Sequence, residues 1–281
     1  MERIRMLQPP QPIIVIDLFP EILDQLLSLL TGLSEEEWNK PTVCAGWSVK
    51  DVALHLLGVE VGNLSRRRDG YASSVFPDGW DELVAFVNDW NQEWIQVARR
   101  VSPQLLIDLM RCTGGQMCEY LCSLDPYAMG SSVSWAGPGP APVWLDIARE
   151  YTERWHHQQH IRDAVGKPGL KQPRHFSPVL ATFAWAMPRA FRGVIGAEGT
   201  VVTLMVTGES GGQWSLRQEE GDWLFYEGTP DHPDAEVIFD EDIAWRLFTL
   251  GCSESDASEH VTLMGDRTLG MRVFEMVSII A

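Results

Sequence analysis

The stretch REYTERWHHQQHIRDAVG, residues 149–166, contains three of the seven histidines of the chain together with two glutamates. Each residue of an α-helix turns by about 100°, so residues four positions apart share a face. Glu153 and His157 form one such pair, and His156 and His160 form another. The spacing predicts a helix that presents four potential metal ligands on one face, as in zinc sites whose ligands are spaced i, i+4.

The predicted helix runs from about Val143 to Val165, and two interpretations of its histidine face are open. An apolar stripe lies on roughly the opposite face: Trp144, Ile147, Ala148, Tyr151 and Trp155. If this stripe alone faces the core, the histidines are solvated surface. If the apolar residues nearer to His157 also face the core, the histidine side is buried in the later turns, which favours a metal site: Ile161, Ala164 and Val165.

A fourth histidine, His55, lies in VALHLL, residues 52–57, where apolar neighbours predict a buried helix. A buried imidazole needs a partner, because an unsatisfied polar group costs roughly 1–3 kcal/mol. A hydrogen bond within the core is one solution. A metal shared with a facing helix is the other, and bundle proteins build metal centres in this way.

The first 170 residues have helical periodicity. An amphipathic helix is predicted from about residue 17 to a stop at TGLSEEEW (31–38), a second from about Val49 to Arg67, and a third within residues 79–102. Ser48 and Asp51 approximate a capping box at the start of the second helix. A further helix is predicted within residues 102–124, weakened at Gly114 and Gly115.

After residue 170 the pattern changes to short β-branched and aromatic runs separated by turn residues. These runs are TVVTLMVTG (200–208), GQWSLRQEEGDWLFYEG (212–228) and DAEVIFD (234–240). Two helical segments follow, within residues 241–251 and 267–280. The change predicts a two-domain α+β protein with domains at residues 1–170 and 171–281.

The charge of the chain limits its partners. The formal net charge of −17 divides into −8 in residues 1–170 and −9 in residues 171–281, so both parts repel phosphate backbones and anionic membranes. No apolar run approaches the roughly 20 residues that span a bilayer. The start, MERIRMLQPPQP, has prolines where a signal peptide needs an apolar segment, which predicts a cytoplasmic protein. Together with the negative charge, these features predict a protein without nucleic-acid or membrane partners.

The five cysteines, an odd number without paired spacing, argue against a secreted disulfide framework. Cys118 and Cys122 are spaced i, i+4 with Cys112 nearby, an alternative soft-metal or redox site that no further ligand completes. Cys44, just before the His55 helix, is a candidate reactive thiol, with packing as the alternative role.

PTVCAGWSVKDVALHLLG (41–58) and YTERWHHQQHIRDAVG (151–166) together resemble the DinB-like metal-dependent enzymes, and among them the branch that includes mycothiol-dependent maleylpyruvate isomerase. The loop pattern of that branch, Thr-x-Cys-x-Gly-Trp-Ser/Thr-Val-x-Asp, falls on Thr42, Cys44, Gly46, Trp47, Ser48, Val49 and Asp51. VNDWNQEW (87–94) is similar to the Asn-bearing third-helix segment of the family.

The resemblance implies an N-terminal DinB-like four-helix bundle with a metal on His55, Glu153 and His157, and a small C-terminal α/β domain similar to sterol carrier proteins. The family commonly has Asp where this chain has His160. His160 is therefore expected either to support a ligand or to act as an alternative ligand.

Two imidazoles and one carboxylate suit Zn²⁺, with Ni²⁺ as the alternative, and leave one coordination position open. A metal there lowers the pKa of a bound thiol, and the thiolate is the reactive form of sulfur. We expect a low-molecular-weight thiol such as mycothiol to attack a small electrophilic substrate. Addition alone gives a thiol S-transferase. Addition to a cis double bond, rotation and elimination give an isomerase, and an anionic substrate would need cations such as Arg246, Arg267 or Arg272.

A non-catalytic protein that binds a small molecule or lipid in its second domain is the alternative, with a structural or vestigial metal. A structural zinc site has four protein ligands, whereas a catalytic site keeps an open position. If His160 joins His55, Glu153 and His157 on the metal, no coordination position stays open for a substrate or thiol. The site would then be structural, which contradicts the enzyme hypothesis. A monomer or a homodimer is expected.

Overall fold

The computed structural model describes residues 6–71, 74–77, 79–137 and 139–279. All five residues of MERIR at the start, on which the expectation about a signal peptide partly rests, lie outside this part. The described residues fall into two compact units. The helical unit comprises Val15–Pro126 and Glu150–Leu170, and the sheet unit comprises the described residues of Met1–Ile14, Tyr127–Arg149 and Lys171–Ile280.

The chain is a two-domain α+β protein, as predicted, with a helical N-terminal region and a mixed sheet near the C terminus. The first part of the chain forms six helices: α1 (Phe19–Thr31), α2 (Glu35–Trp38), α3 (Val49–Asn63), α4 (Trp80–Ala98), α5 (Pro103–Cys122) and α6 (Val143–Val165). A π-helical turn, Leu64–Arg68, continues α3. The long helix α6 contributes to both units, since its residues up to Arg149 belong to the sheet unit. The division into domains at residues 1–170 and 171–281 stays a prediction.

Helix α3 begins where the sequence predicts, because Ser48 and Asp51 form a capping box. Ser48 Oγ accepts a hydrogen bond from the Asp51 backbone N–H, and Asp51 Oδ2 accepts one from the Ser48 backbone N–H. Arg99 donates two hydrogen bonds to the Asp51 carboxylate, at 2.9 and 3.0 Å. These contacts hold the first turn of α3 and the loop that precedes it.

The core of the helical unit joins residues of α1, α3, α5 and the C-terminal half of α6. Its members include Leu26, Leu30, Val52, Leu56, Leu106, Met110, Ile161 and Val165. Helix α5 runs unbroken through Gly114 and Gly115, so the predicted weakening does not interrupt it. A Cβ added to Gly114 would lie 2.7 Å from Leu23 Cδ1, which shows that this glycine permits the close approach of α1 and α5.

The first predicted helix stops where the sequence indicates. Helix α1 ends at Thr31, the first residue of TGLSEEEW, and Ser34 then starts the short helix α2, which the sequence did not predict, with a second capping box to Glu37. The hydrogen bond from the Glu37 backbone N–H to Ser34 Oγ satisfies a backbone group that a continuous helix would have paired internally.

The sheet unit has five strands in the order β3-β2-β1-β4-β5. They are β1 (Val201–Thr207), β2 (Gln213–Glu219), β3 (Asp222–Glu227), β4 (Ala235–Asp240) and β5 (Thr262–Gly265). Only the β1–β4 pairing is parallel. The β2–β3 hairpin turns at Glu220 and Gly221, whose φ values of 51° and 95° suit a two-residue turn that needs positive φ at both positions.

The remaining helices are α7 (Pro173–Ala184), α8 (Met187–Ala190), α9 (Glu241–Phe248), α10 (Glu254–Ser258) and α11 (Arg267–Met271), followed by a 3-10 turn, Arg272–Glu275. The sequence predicted β1 to β4 and the regions of α9 and α11, whereas it did not indicate β5, α7, α8 or α10. Within the described residues, no helix combines the length and the apolar character that crossing a membrane requires.

Candidate metal centre

The histidine face of α6 lies inside the helical unit. His156 and His160 are 1% and 5% exposed, and the side chains of His157 and Glu153 are 12% and 21% exposed. Trp155 on the apolar stripe is fully buried as well. The interpretation of this face as solvated surface is therefore wrong, because both faces of the helix pack in the interior at these turns.

Three of the predicted ligands come together. His55 Nε2 on α3 lies 2.9 Å from Glu153 Oε1, and His157 Nε2 lies 3.3 Å from the same oxygen. One ligand atom from each residue lies within 4.8 Å of the others. We call His55, Glu153 and His157 the primary ligand set.

The protonation of this set suits a metal. Burial, together with the adjacent His156 ring, lowers the pKa of His157 to about 3, against the attraction of Glu153. Burial raises the pKa of Glu153, but attraction to His157 and hydrogen bonds from His157 and His55 hold that pKa well below its usual 4.5. At neutral pH the set therefore contains a carboxylate and, at His157, a neutral imidazole, which are the forms that bind metals.

The distances also fit a divalent ion. A tetrahedral ion with Zn–N and Zn–O bonds of about 2.0–2.2 Å places its ligand atoms roughly 3.3 Å apart. The two measured separations, 2.9 and 3.3 Å, are close to that value. In addition, His157 Nδ1 is buried without a hydrogen-bond partner among the described residues, a sign that the ring is not held by hydrogen bonds alone.

The other two histidines of α6 have different contacts. His156 Nδ1 donates a hydrogen bond to the Thr152 carbonyl oxygen at 2.8 Å, within its own helix. His160 Nδ1 lies 3.2 Å from Cys44 Sγ. Ligand atoms of Cys44, His157 and His160 also lie within 4.8 Å of one another, and we call these three residues the sulfur ligand set.

A tight loop places Cys44 beside α6. Thr42 and Trp47 are joined by the hydrogen bond from the Thr42 backbone N–H to the Trp47 carbonyl, and Thr42 Oγ1 accepts a hydrogen bond from the Cys44 N–H. Gly46 has a φ of 75°, a left-handed conformation that favours glycine. Burial raises the pKa of the Cys44 thiol, and the charge of Glu153 raises it further.

The same loop covers the primary ligand set. The Trp47 ring lies 5.2 Å from the His55 ring, and Trp47 Nε1 donates a hydrogen bond to Gln92 Oε1 at 3.2 Å. Gln92 belongs to VNDWNQEW on α4, so this segment supports the loop through its glutamine.

A second buried polar cluster lies on the same helices, and we did not predict it from the sequence. Glu150 Oε2 accepts hydrogen bonds from Arg154 Nη1 at 2.8 Å and from Asn63 Nδ2 at 2.9 Å. Thr113 Oγ1 on α5 donates to Glu60 Oε2. Burial raises the pKa of Glu60 to about 7, although the positive charge of Arg154 lowers it.

We call Glu60, Asn63, Glu150 and Arg154 the arginine cluster. The i, i+4 spacing of Glu150 and Arg154 was a signal for it, but this spacing is also common on exposed helix faces.

The remaining predicted residues stand apart from the ligand sets. Neither set includes Cys112, Cys118 or Cys122, and burial raises the pKa of Cys118 to about 11. In the sheet unit, Arg246 Nε lies 3.1 Å from Asp242 Oδ2, and Arg272 Nη1 donates to Glu275 Oε1. Arg267 is exposed. Their role in binding an anionic substrate stays a prediction.

Comparison with known proteins identifies the family. A family model described as "Mycothiol maleylpyruvate isomerase N-terminal domain" matches residues 19–162, just over half of the chain. The chain belongs to this family. The match includes the loop before α3 and all three residues of the primary ligand set, and it confirms the predicted maleylpyruvate isomerase-like branch of the DinB-like enzymes.

Several solved structures resemble the chain, and two of them are structures of one isomerase. The crystal structure of the mycothiol-dependent maleylpyruvate isomerase has a TM-score of 0.51 and 14% identity, covering 88% of this chain and 90% of that chain. The structure of a mutant of that isomerase has the same identity and coverage and a TM-score of 0.47. At this identity the first likeness shows the fold alone. Among curated proteins, none matches the chain.

Proposed function

We propose that this chain is a metal- and thiol-dependent isomerase that acts on a small electrophile with a cis double bond, of the maleylpyruvate type, with mycothiol as the thiol. Membership of the mycothiol maleylpyruvate isomerase family supports a thiol-dependent enzyme. The observation that carries the proposal is the meeting of His55 Nε2 and His157 Nε2 at one oxygen of Glu153, inside the bundle.

The proposed role of the primary ligand set is to hold a divalent metal, with zinc favoured and nickel as the alternative. When bound, such an ion supplies Lewis acidity and lowers the pKa of a thiol at its open position. Glu153 cancels one of the two positive charges, and the remaining charge favours an anionic substrate. His160 contacts Cys44, and no fourth residue joins His55, Glu153 and His157 in a ligand group within the described part of the chain, which supports an open position in the primary set.

The proposed reaction conserves the thiol. A carbon–sulfur bond forms at one alkene carbon while the π electrons move toward the conjugated carbonyl oxygen, which leaves a single bond between the former alkene carbons. Rotation about that bond is followed by elimination, which breaks the carbon–sulfur bond, restores the carbonyl and leaves the trans double bond. Trp47 donates a hydrogen bond to Gln92, and its ring packs beside the ring of His55. We expect this ring to limit the access of water to the primary ligand set on the side of His55.

The test is the isomerisation of maleylpyruvate with and without mycothiol, after the protein has been loaded with zinc or nickel. We expect turnover to require both the thiol and the metal and to fall by at least about 100-fold in His157→Ala, since changes beside metal ligands already cost 10–100-fold. His260→Ala, at an exposed histidine of the sheet unit, is the matched control. Turnover that is unaffected by a chelator or by His157→Ala would overturn the proposal.

The same assay separates the related activities. A stable thioether product identifies an S-transferase, because addition has then occurred without elimination. Absence of both products with a fully loaded protein would favour the non-catalytic alternative, a protein that binds a small molecule or lipid. The five free cysteines and a reduced thiol cofactor fit the cytoplasm, which we propose as the location.

A further inference from the structure

The sulfur ligand set has the composition of a metal site of its own. Cys44 Sγ lies 3.2 Å from His160 Nδ1, close to the roughly 3.6 Å between the sulfur and nitrogen ligands of a tetrahedral zinc ion. His160 is 5% exposed and the His157 side chain 12% exposed, so two of the three ligands are shielded from solvent. The His157 and His160 rings lie 5.3 Å apart, and one ligand atom from each lies within 4.8 Å of the other and of Cys44 Sγ.

We propose that Cys44, His157 and His160 form a second metal position, selective for soft ions such as Cd²⁺ or Cu⁺, which shares His157 with the primary ligand set and competes with it for an ion. This position goes beyond the proposed function, because it does not require catalysis.

Sharing makes the two positions exclusive. A neutral imidazole offers a single lone pair, so His157 binds one ion at a time. Movement of an ion between the positions would exchange His55 and Glu153 for Cys44 and His160. The chain would therefore bind one ion, in one position or the other.

The difference in ligands predicts which ion prefers which position. Two imidazoles and a carboxylate suit Zn²⁺ and harder ions, whereas a thiolate favours soft ions. Binding at the sulfur ligand set must release the thiol proton of Cys44, because a coordinated thiol is deprotonated. The second position should therefore gain most from ions with a strong affinity for sulfur.

The experiment is titration of the full chain with Cd²⁺, followed by the ultraviolet band of thiolate-to-cadmium charge transfer. We expect one equivalent to produce the band in the wild type and in His55→Ala, which removes a ligand of the primary set alone. Cys44→Ser should lose the band and weaken the affinity by at least about 100-fold. Cys118→Ser, at a half-buried cysteine of the same unit, is the matched control and should keep the band.

A measurement on the unaltered protein guards against variants that fail to fold. Cd²⁺ should slow the alkylation of Cys44 by iodoacetamide and leave the rate at Cys118 unchanged, as read by peptide mass spectrometry. A wild-type chain that binds Cd²⁺ without a thiolate band, or without protection of Cys44, would overturn the second position. A failure of the proposed function has a different signature, namely loaded wild-type protein without turnover while the Cys44-dependent band is present.

Discussion

Two buried polar clusters share helices α3 and α6 and satisfy their carboxylates in different ways. In the arginine cluster, Glu150 is paired with Arg154 and Asn63. In the primary ligand set, Glu153 is paired with the imidazoles of His55 and His157. Glu150 and Glu153 lie less than one helical turn apart, yet they differ in partner and in exposure, since their side chains are 1% and 21% exposed.

The partner decides what each carboxylate can do. An arginine keeps its proton and has no lone pair, so it neutralises Glu150 permanently and offers nothing to a metal. A neutral imidazole can carry its proton on either nitrogen, so the nitrogen that faces Glu153 can offer a lone pair to a metal. The arginine cluster therefore stabilises the bundle, whereas the primary ligand set leaves a negative charge that a cation can meet.

The loss of unfolding free energy should differ most between substitutions of Glu150 and of Glu153. Glu150→Ala leaves the buried guanidinium of Arg154 without its carboxylate and should lower the free energy of unfolding by about 3–5 kcal/mol. Glu153→Ala, measured without metal, should cost less, about 1.5–3 kcal/mol, because it removes hydrogen bonds to a carboxylate but leaves no buried guanidinium behind. Urea denaturation in the presence of a chelator measures both. Equal costs would show that the two clusters have the same structural role.

Metal should stabilise the protein through one cluster alone. Zn²⁺ at 100 to 1,000 times its dissociation constant should raise the free energy of unfolding by about 3–4 kcal/mol in the wild type. The gain should disappear in His157→Ala and persist in Asn63→Ala, which alters the arginine cluster. Persistence of the gain in His157→Ala would place the ion elsewhere in the protein.

A third effect depends on pH and on Glu60. Its pKa is about 7 in the folded protein against 4.5 ordinarily, so between these values the unfolded chain releases a proton that the folded chain keeps. Stability should therefore fall as the pH rises from 4.5 to 7 and then level off, by roughly 3 kcal/mol at most. Glu60→Gln should remove this fall, while the titration of other groups remains. Parallel stability profiles of wild type and variant over that range would contradict the pKa assigned to Glu60.

The smallest effect concerns the hydrogen bond from Thr113 to Glu60. Thr113→Val should cost about 1 kcal/mol at pH 8, where Glu60 is ionised and needs a donor. At pH 5, where Glu60 is protonated, the cost should be smaller. Denaturant titrations at both pH values measure the difference, and a cost independent of pH would assign the effect to packing.

Local patterns predicted the features that depend on neighbouring residues. The capping box of Ser48 and Asp51 located the start of α3, and the i, i+4 spacing of Glu153 and His157 placed them on one face. The position of His55 opposite that face came from the family resemblance, since no local pattern joins residues 98 positions apart.

Features that depend on distant packing were not predictable in this way. The close packing of Gly114 on α5 against Leu23 of α1, and the burial of the histidine face, both involve helices distant in sequence. The contact between Cys44 and His160 depends on the loop that ends at Trp47, although both residues had been singled out.

The most direct test of the comparison is the metal content of the purified protein, measured by mass spectrometry for the wild type, His157→Ala and Asn63→Ala. If the primary ligand set holds the metal, we expect about one zinc or nickel ion per chain in the wild type and in Asn63→Ala. We expect the ion to be lost in His157→Ala. Full occupancy in His157→Ala, or a wild-type chain that takes up no ion after supplementation, would contradict this assignment.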